Sequence, residues 1–134
     1  MTSIAPIGVF NNSYLTPKKK VENENQNKEF EAYKEQTNNH IMQHEQAHKN
    51  AGGALAGSIV IEKNSDGVAF AGHVPIQIPE VVQGGNIEET KKQNEQVKSS
   101  AMAPSDPSGQ DYLVAAQAQA NINKALMLMK QKQC

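Results

Sequence analysis

The sequence predicts a small α+β domain that consists of a long helix, a β-hairpin and two C-terminal helices. Three observations lead to this class. A polar segment with apolar residues three and four apart ends at Gly52 and Gly53, as a helix does. Two β-rich runs then flank an Asp-Gly pair, and two helical segments with capping residues follow. The chain has 134 residues and 37% hydrophobic content, which suits one domain with a modest core.

The N-terminal part of the chain is predicted to differ from the rest. Residues 1–26 contain a lysine run at residues 18–20 and, after it, an Asn/Glu-rich stretch at residues 22–26 that has no apolar side chain. Such a segment buries too little surface to offset its ordering entropy. We therefore expect a disordered leader over residues 1–26 and a folded domain over residues 27–134.

The first helix is predicted from about Lys28 to Lys49 or Asn50, with a weak point at residues 37–39 where it could break in two. One stripe along it, with steps of three and four residues, is predicted to face inward. The stripe consists of Phe30, Tyr33, Thr37, Ile41, His44 and His48. The two histidines thus extend an apolar face, which predicts that they point into the domain.

The hairpin is predicted from residues 58–62 and 68–76, which are rich in β-branched side chains and flank the turn at residues 64–67. Side chains alternate between the two faces of a strand. His73 therefore shares its face with alanines, which leaves room beside it for something bulky. Pro75 marks the end of this strand or an edge position.

Two capping patterns predict the last two helices. Asn86 with Glu89 fits the start of a polar helix that continues to about Met102. Ser108 with Asp111 fits the start of a second helix that continues to about Lys130.

The pentapeptide His44-Glu45-Gln46-Ala47-His48 is an HExxH motif within the predicted first helix. Residues four apart lie on one face of a helix, so both imidazoles can bind one Zn²⁺. Glu45 lies roughly 100° around the helix from His44, where a carboxylate can reach a water on the metal but is badly placed as a ligand. The motif therefore predicts a zinc site with Glu45 as general base. A chance occurrence on a polar helix is the competing interpretation.

A catalytic zinc site needs a third protein ligand, and His73 is the strongest candidate because it is the only histidine outside the first helix. A histidine that binds no metal is the competing interpretation. The carboxylates considered as alternatives are Glu62, Glu80 and Asp111, each of which also has a solvent-facing or capping explanation. Asp111, with Gln110, could instead hold a ligand histidine from outside the metal's ligand shell.

The chain resembles the SprA-related family of bacterial proteins over residues 41–126. The resemblance rests on three blocks: the HExxH segment with Ala51-Gly52-Gly53, the strand residues 71–74, and residues 103–111. It implies a metalloprotease catalytic domain. From the HExxH helix, the hairpin and the two later helices we expect a zincin-like α+β fold. One position departs from the family, which has Gly-Glu-Val where this chain has Gly72-His73-Val74. Glutamate and histidine both bind zinc, so the exchange favours a ligand at position 73, but it also fits a member that has lost activity.

Composition excludes several other functions. The net charge is −1 and the sequence contains no arginine, so neither a nucleic acid nor an anionic membrane is an expected partner. No apolar run reaches the roughly 18 residues of a membrane span, and the first residues do not resemble a secretory signal. A cytoplasmic location is the resulting expectation.

Together these patterns predict a zinc-dependent metallopeptidase that hydrolyses a peptide or protein substrate. Zn²⁺ would be bound by His44, His48 and His73, and Glu45 would activate the attacking water. His40 and Tyr112 are conceivable stabilisers of the oxyanion, although a structural role is the simpler explanation for each. The alternative is a non-catalytic zinc-binding module, or a helical protein-interaction module, of the same fold.

Overall fold

The computed structural model describes the backbone of residues 4–133 and the side chains of residues 23–131. The chain divides into two compact units, residues 1–37 and 38–134. The first helix, α1 (Ile4–Gly52), contributes to both units, and the boundary falls where the sequence predicted a weak point. α1 is nevertheless continuous through these residues.

The sequence predicted a disordered leader over residues 1–26, whereas the backbone of α1 is helical from Ile4 onward. Residues 1–3, and the side chains before residue 23, lie outside the described part of the chain. The division into a leader and a domain at residue 27 stays a prediction. In the first unit Phe30 and Tyr33 are exposed, so the inward-facing stripe predicted for α1 is wrong there. The described residues of this unit form a single helix, which has no second element of its own to cover them.

In the second unit α1 ends as the sequence predicted. Gly53 has φ +54°, a backbone conformation that glycine adopts at little cost, and it starts a short 3-10 helix, Gly53–Leu55. Gly52 also lies close to other elements, since a Cβ on it would approach the Ile76 side chain to 2.9 Å. The end of α1 is therefore packed tightly against the segments that follow.

The predicted hairpin is present. Strands β1 (Val60–Lys63) and β2 (Ala69–His73) pair antiparallel, with Val60 opposite His73 and a register irregularity between Glu62 and Lys63. Gly67 in the turn has φ +81°, as expected for the glycine of an Asp-Gly turn. The Asn38 side chain joins α1 to this hairpin, because it accepts from the Ala69 N–H at 2.7 Å and donates to the Gly67 carbonyl at 3.2 Å.

Two helices complete the fold, α2 (Ile87–Ala101) and α3 (Gly109–Gln133). Both begin at the predicted caps: the Asn86 side chain accepts from the Glu89 N–H, and the Ser108 hydroxyl accepts from the Asp111 N–H, each at 3.1 Å. Capping of this kind stabilises a helix by about 1 kcal/mol.

The core lies where α2 and α3 pack together. One cluster comprises Leu55, Val97 and Ala118, and a second comprises Val81, Ile87 and Ala125. Asn94 is completely buried in α2 and satisfies its amide by donating to the Pro79 and Thr90 carbonyls, while its oxygen accepts from Asn121. None of the described helices combines the length and the apolar character that crossing a bilayer requires.

Candidate metal centre

The last turns of α1 carry the HExxH residues. Among the described residues, His44, Glu45 and His48 form one group whose possible ligand atoms all lie within 4.8 Å of one another. The two imidazole rings are one helical turn apart, with centroids 4.9 Å apart and an interplanar angle of 77°. Their Nε2 atoms are 3.2 Å apart, so both rings point at one location.

His48 is held by the last turn of α2. Its Nδ1 lies 2.7 Å from the Ser100 carbonyl oxygen, and the Ser100 hydroxyl donates to the His48 carbonyl at 2.7 Å. Both residues are buried. A backbone carbonyl only accepts, so Nδ1 must carry the proton that it donates. In neutral His48 the lone pair is therefore on Nε2.

His44 is held by the loop between α2 and α3. Its Nδ1 lies 3.1 Å from Asp106 Oδ1, and the other oxygen of Asp106 lies 3.4 Å from His40 Nε2. The hydrogen bond from His44 lowers the pKa of the exposed Asp106 carboxyl, which therefore stays ionised and accepts. Nδ1 of His44 then carries its proton, and neutral His44 also presents its lone pair on Nε2.

Asp111 brings a third donor atom to the two imidazoles. Its Oδ2 lies 3.2 Å from His44 Nε2 and 3.2 Å from His48 Nε2. The first turn of α3 positions this carboxylate, because Oδ2 also accepts from the Ser108 N–H at 2.8 Å. The capping pair that the sequence predicted thus aims the Asp111 carboxylate at the histidines.

The three converging atoms match the donor set of a tetrahedral metal. His44 Nε2, His48 Nε2 and Asp111 Oδ2 form a triangle with edges of 3.2 Å. Ligands at zinc distances of 2.0–2.1 Å in tetrahedral geometry are about 3.3–3.4 Å apart. With both imidazoles neutral, the three atoms direct lone pairs at each other, which is unfavourable unless a cation or a proton lies between them. The residues therefore fit a divalent metal with two nitrogen ligands and one oxygen ligand.

Glu45 is 4% exposed and lies beneath the second strand. A Cβ on Gly72 would approach Glu45 Cγ and Ile41 Cγ2 to 2.9 Å, so the absence of a side chain at Gly72 lets β2 lie directly on the carboxylate-bearing side chain. Burial raises the pKa of Glu45 above its ordinary value, although His48 and His44 act in the opposite direction. A carboxylate with a raised pKa is a better proton acceptor near neutral pH.

The pKa of His44 reflects its position at the edge of the site. Burial acts to lower this pKa, but the hydrogen bond to Asp106, the charge of Glu45 and the contact with Asp111 together outweigh it, so the pKa is raised. In the metal-free protein, the raised pKa therefore favours a proton on His44, between the imidazoles and Asp111. A metal ion would have to displace this proton in order to bind.

His73 lines the same cavity as the HExxH residues, but its side chain is exposed and does not belong to the close-packed group of ligand atoms. It is near enough to Glu45 to lower the pKa of that carboxyl. The prediction that His73 is the third ligand stays a prediction, with Asp111 now the residue whose distances fit that position. Among the other carboxylates considered, Glu62 and Glu80 are exposed and do not line the cavity.

The cavity around these residues has a volume of about 380 Å³. His40 and Gln110 line it, whereas Tyr112 does not and is 54% exposed. Volumes of about 300–1,000 Å³ are typical of sites that bind small molecules or part of a larger ligand. The potential metal ligands and Glu45 all face this one cavity.

Comparison with known proteins identifies the family of the chain. The model of the SprA-related family matches residues 15–133. The chain belongs to this family. No curated protein and no solved structure matches it. The match extends the region of likeness beyond residues 41–126 in both directions and covers all of α3.

Two residues of the site were missed or only partly found by sequence reasoning. Asp106 was not predicted, because nothing in its spacing linked it to His44, which is 62 positions away. Asp111 was among the alternatives, but its capping role offered a sufficient local explanation. The available signal was the presence of two aspartates within six residues, Asp106 just before the predicted helix and Asp111 in its first turn.

Proposed function

We propose that this protein is a zinc-dependent metallopeptidase of the SprA-related family. The observation that carries the proposal is the 3.2 Å triangle of His44 Nε2, His48 Nε2 and Asp111 Oδ2, with Glu45 buried beside it. Two histidines and a carboxylate are a known ligand set for catalytic zinc, which keeps a fourth position open.

In this proposal Asp111 is the third ligand, in preference to His73. Three contacts prepare the ligand set: Ser100 orients His48, Asp106 orients His44, and the Ser108 N–H orients Asp111. Partners of this kind fix the tautomer and direction of a ligand and strengthen metal binding. His73 then faces the cavity from the strand side, where its imidazole can contact a bound substrate.

When bound, zinc would supply the Lewis acidity that polarises a peptide carbonyl and acidifies a nearby water. Glu45 accepts the proton of the attacking water, and its burial favours this transfer by raising the pKa of the carboxyl. The same group then donates the proton to the leaving amine. Gly72 keeps β2 close to Glu45 and so restricts access of bulk water.

The alternative is a protein that keeps the metal without turnover. The departure from the family's Gly-Glu-Val at Gly72-His73-Val74 favours this alternative, because the strand beside Glu45 differs there. A cytoplasmic location, a peptide or protein substrate and the absence of nucleic-acid and membrane partners also remain proposals.

Zinc binding is the first test. The purified full chain, stripped with a chelator and reloaded, should bind one Zn²⁺, measured by elemental analysis and by competition with a chromogenic chelator. His44→Ala and His48→Ala should each lose tight binding. Equal zinc content in the wild type and both variants would refute the metal site.

Hydrolysis is the second test. Zinc-loaded wild type is incubated with a library of quenched-fluorescence peptides, beside Glu45→Gln as the matched variant. The amide keeps the shape of Glu45 but accepts no proton, so zinc content should stay and cleavage should fall by about 10²–10⁴. Zinc binding without cleavage by the wild type would favour the non-catalytic alternative.

A further inference from the structure

The cavity has a second half that the metal ligands do not explain. Part of its wall, next to the metal ligands, is made of apolar side chains from three elements: Ile76 after β2, Ala101 at the end of α2 and Val114 in α3. None of these side chains carries a charge or a hydrogen-bonding group. The cavity therefore has an apolar stretch of wall beside its titratable side chains.

The apolar wall is also the margin of the hydrophobic core. Ile76 and Val114 pack against the cluster of Leu55, Val97 and Ala118, and Ala101 is itself buried. Interiors of this kind are close-packed and resist rearrangement. The wall is thus a rigid surface rather than a set of mobile side chains at the mouth of the cavity.

The wall adjoins the metal ligands directly. Val114 lies three residues after Asp111 on α3, so the two side chains share one face of the helix, one turn apart. Ala101 follows Ser100, whose carbonyl holds His48. A peptide whose carbonyl is placed at the triangle of ligand atoms would therefore have a neighbouring side chain next to this wall.

We infer that the wall formed by Ile76, Ala101 and Val114 is a specificity subsite for an apolar side chain on the substrate residue that flanks the cleaved bond. This inference rests on the proposed function. An acidic side chain there would lose its hydration with no partner in return, whereas an apolar one would replace water against the core. Val114 sets the depth of the subsite because it projects from the same helical face as Asp111.

The test uses dipeptide hydroxamates, which bind zinc in a protein whether or not it turns over substrate. Three probes carry leucine, glycine or aspartate beside the hydroxamate, and their affinities for the zinc-loaded full chain are measured by calorimetry. The leucine probe should bind at least about tenfold more tightly than the glycine probe, as expected for several buried methyl and methylene groups. The aspartate probe should bind no more tightly than the glycine probe.

Two variants locate the preference at Val114. Val114→Phe should fill the subsite and remove the preference for leucine, while the glycine probe binds as before. Val114→Ala, which avoids overpacking, should shift the preference from leucine toward phenylalanine, measured with a fourth probe that carries phenylalanine beside the hydroxamate. Leu113→Phe is the matched control, since Leu113 is 65% exposed on the same helix and does not line the cavity.

Equal affinities for the three probes, with zinc bound, would overturn the subsite and leave the proposed function intact. A change in all three affinities by the same factor in the Val114 variants would also overturn it, because the residue would then act on the metal site as a whole. Failure to bind zinc, measured before any probe is added, would refute the proposed function and this inference with it.

Discussion

The two histidines of the site are held in the same tautomer by opposite kinds of partner. His48 donates to the backbone carbonyl of Ser100 at 2.7 Å, inside the contact between α1 and α2. His44 faces the Asp106 carboxylate at 3.1 Å, and 57% of that side chain is exposed. The His48 half of the site is thus held by a buried backbone carbonyl, and the His44 half by an exposed, charged side chain.

This difference indicates that the part of the site around His44 can be altered more easily than the part around His48. A carbonyl has no charge to titrate and is present whatever residue occupies position 100, so the His48 half is fixed by the fold. Asp106 can be removed by substitution, protonated by acid and screened by salt. We therefore expect pH, and substitution of the residues that hold the two histidines, to act on zinc binding mainly through the His44 half.

The largest effect is expected for the proposed third ligand, Asp111, which contacts both histidines. Asp111→Ala should weaken zinc binding by more than about 100-fold, because removal of a supporting partner alone typically costs about 10–100-fold. His73→Ala should change zinc affinity little if Asp111 is the third ligand. Competition titrations of both variants against a chromogenic chelator measure this. The reverse ranking would restore His73 as the ligand.

A smaller loss is expected when the exposed partner of His44 is removed. Asp106→Ala should weaken zinc binding by about 10–100-fold, and Asp106→Asn by less, because its amide oxygen still accepts from Nδ1. Asp66→Ala is the control, an exposed aspartate in the hairpin turn. Loss of zinc affinity in the control equal to that in Asp106→Ala would show that the effect is not specific to His44.

The pH dependence of zinc binding should also reflect the His44 half of the site. The raised pKa of His44 means that a proton competes with the metal, so zinc affinity should fall by about tenfold per pH unit below that pKa. The metal-free protein should show the opposite trend: the stability contributed by His44 is fully present below the ordinary value of 6.5 and is lost as pH rises through the raised pKa.

Asp106→Ala tests the cause of this pH dependence. It removes the hydrogen bond that raises the pKa of His44, so the pH at which zinc affinity begins to fall should move down. The shift is measured independently of absolute affinity, from titrations over a series of buffers. An unchanged midpoint would indicate that Asp106 does not control this proton.

The smallest effect on zinc is expected at the His48 half. Ser100→Ala removes the hydroxyl that donates to the His48 carbonyl but keeps the carbonyl that accepts from Nδ1. The free energy of unfolding should fall by about 1 kcal/mol, while zinc affinity should change little. Denaturant unfolding and zinc titration measure the two quantities, with Ser99→Ala, an exposed neighbour, as control. A loss of zinc affinity as large as that of Asp106→Ala would contradict the comparison.

The features that the sequence predicted well each depend on residues that are close together in the chain. The end of α1 at Gly53, the turn at Gly67 and the cap at Asn86 each depend on a few consecutive residues, and all three are present. The arrangement of His44, Glu45 and His48 was predictable for the same reason, since all three lie within two turns of one helix.

Contacts between distant residues account for what was missed. Asp106 and Asp111 reach the histidines across separations of 62 to 67 positions, and only the packing of α2 and α3 brings them there. Asp111 also caps α3, and because the cap explained this residue, it was only an alternative to His73 as the predicted third ligand. Phe30 and Tyr33 were predicted to face inward but are exposed. An apolar stripe shows which residues share one face of a helix, but it does not show whether another element covers that face.

The separation between His48 and Asp111 also sets an order of events during translation. On the proposed ligand set, the ribosome must add another 63 residues after His48 before the third ligand exists. The carboxylate is then aimed only when Ser108 and the first turn of α3 have formed. A nascent chain would thus expose the HExxH helix well before the proposed site could hold a metal.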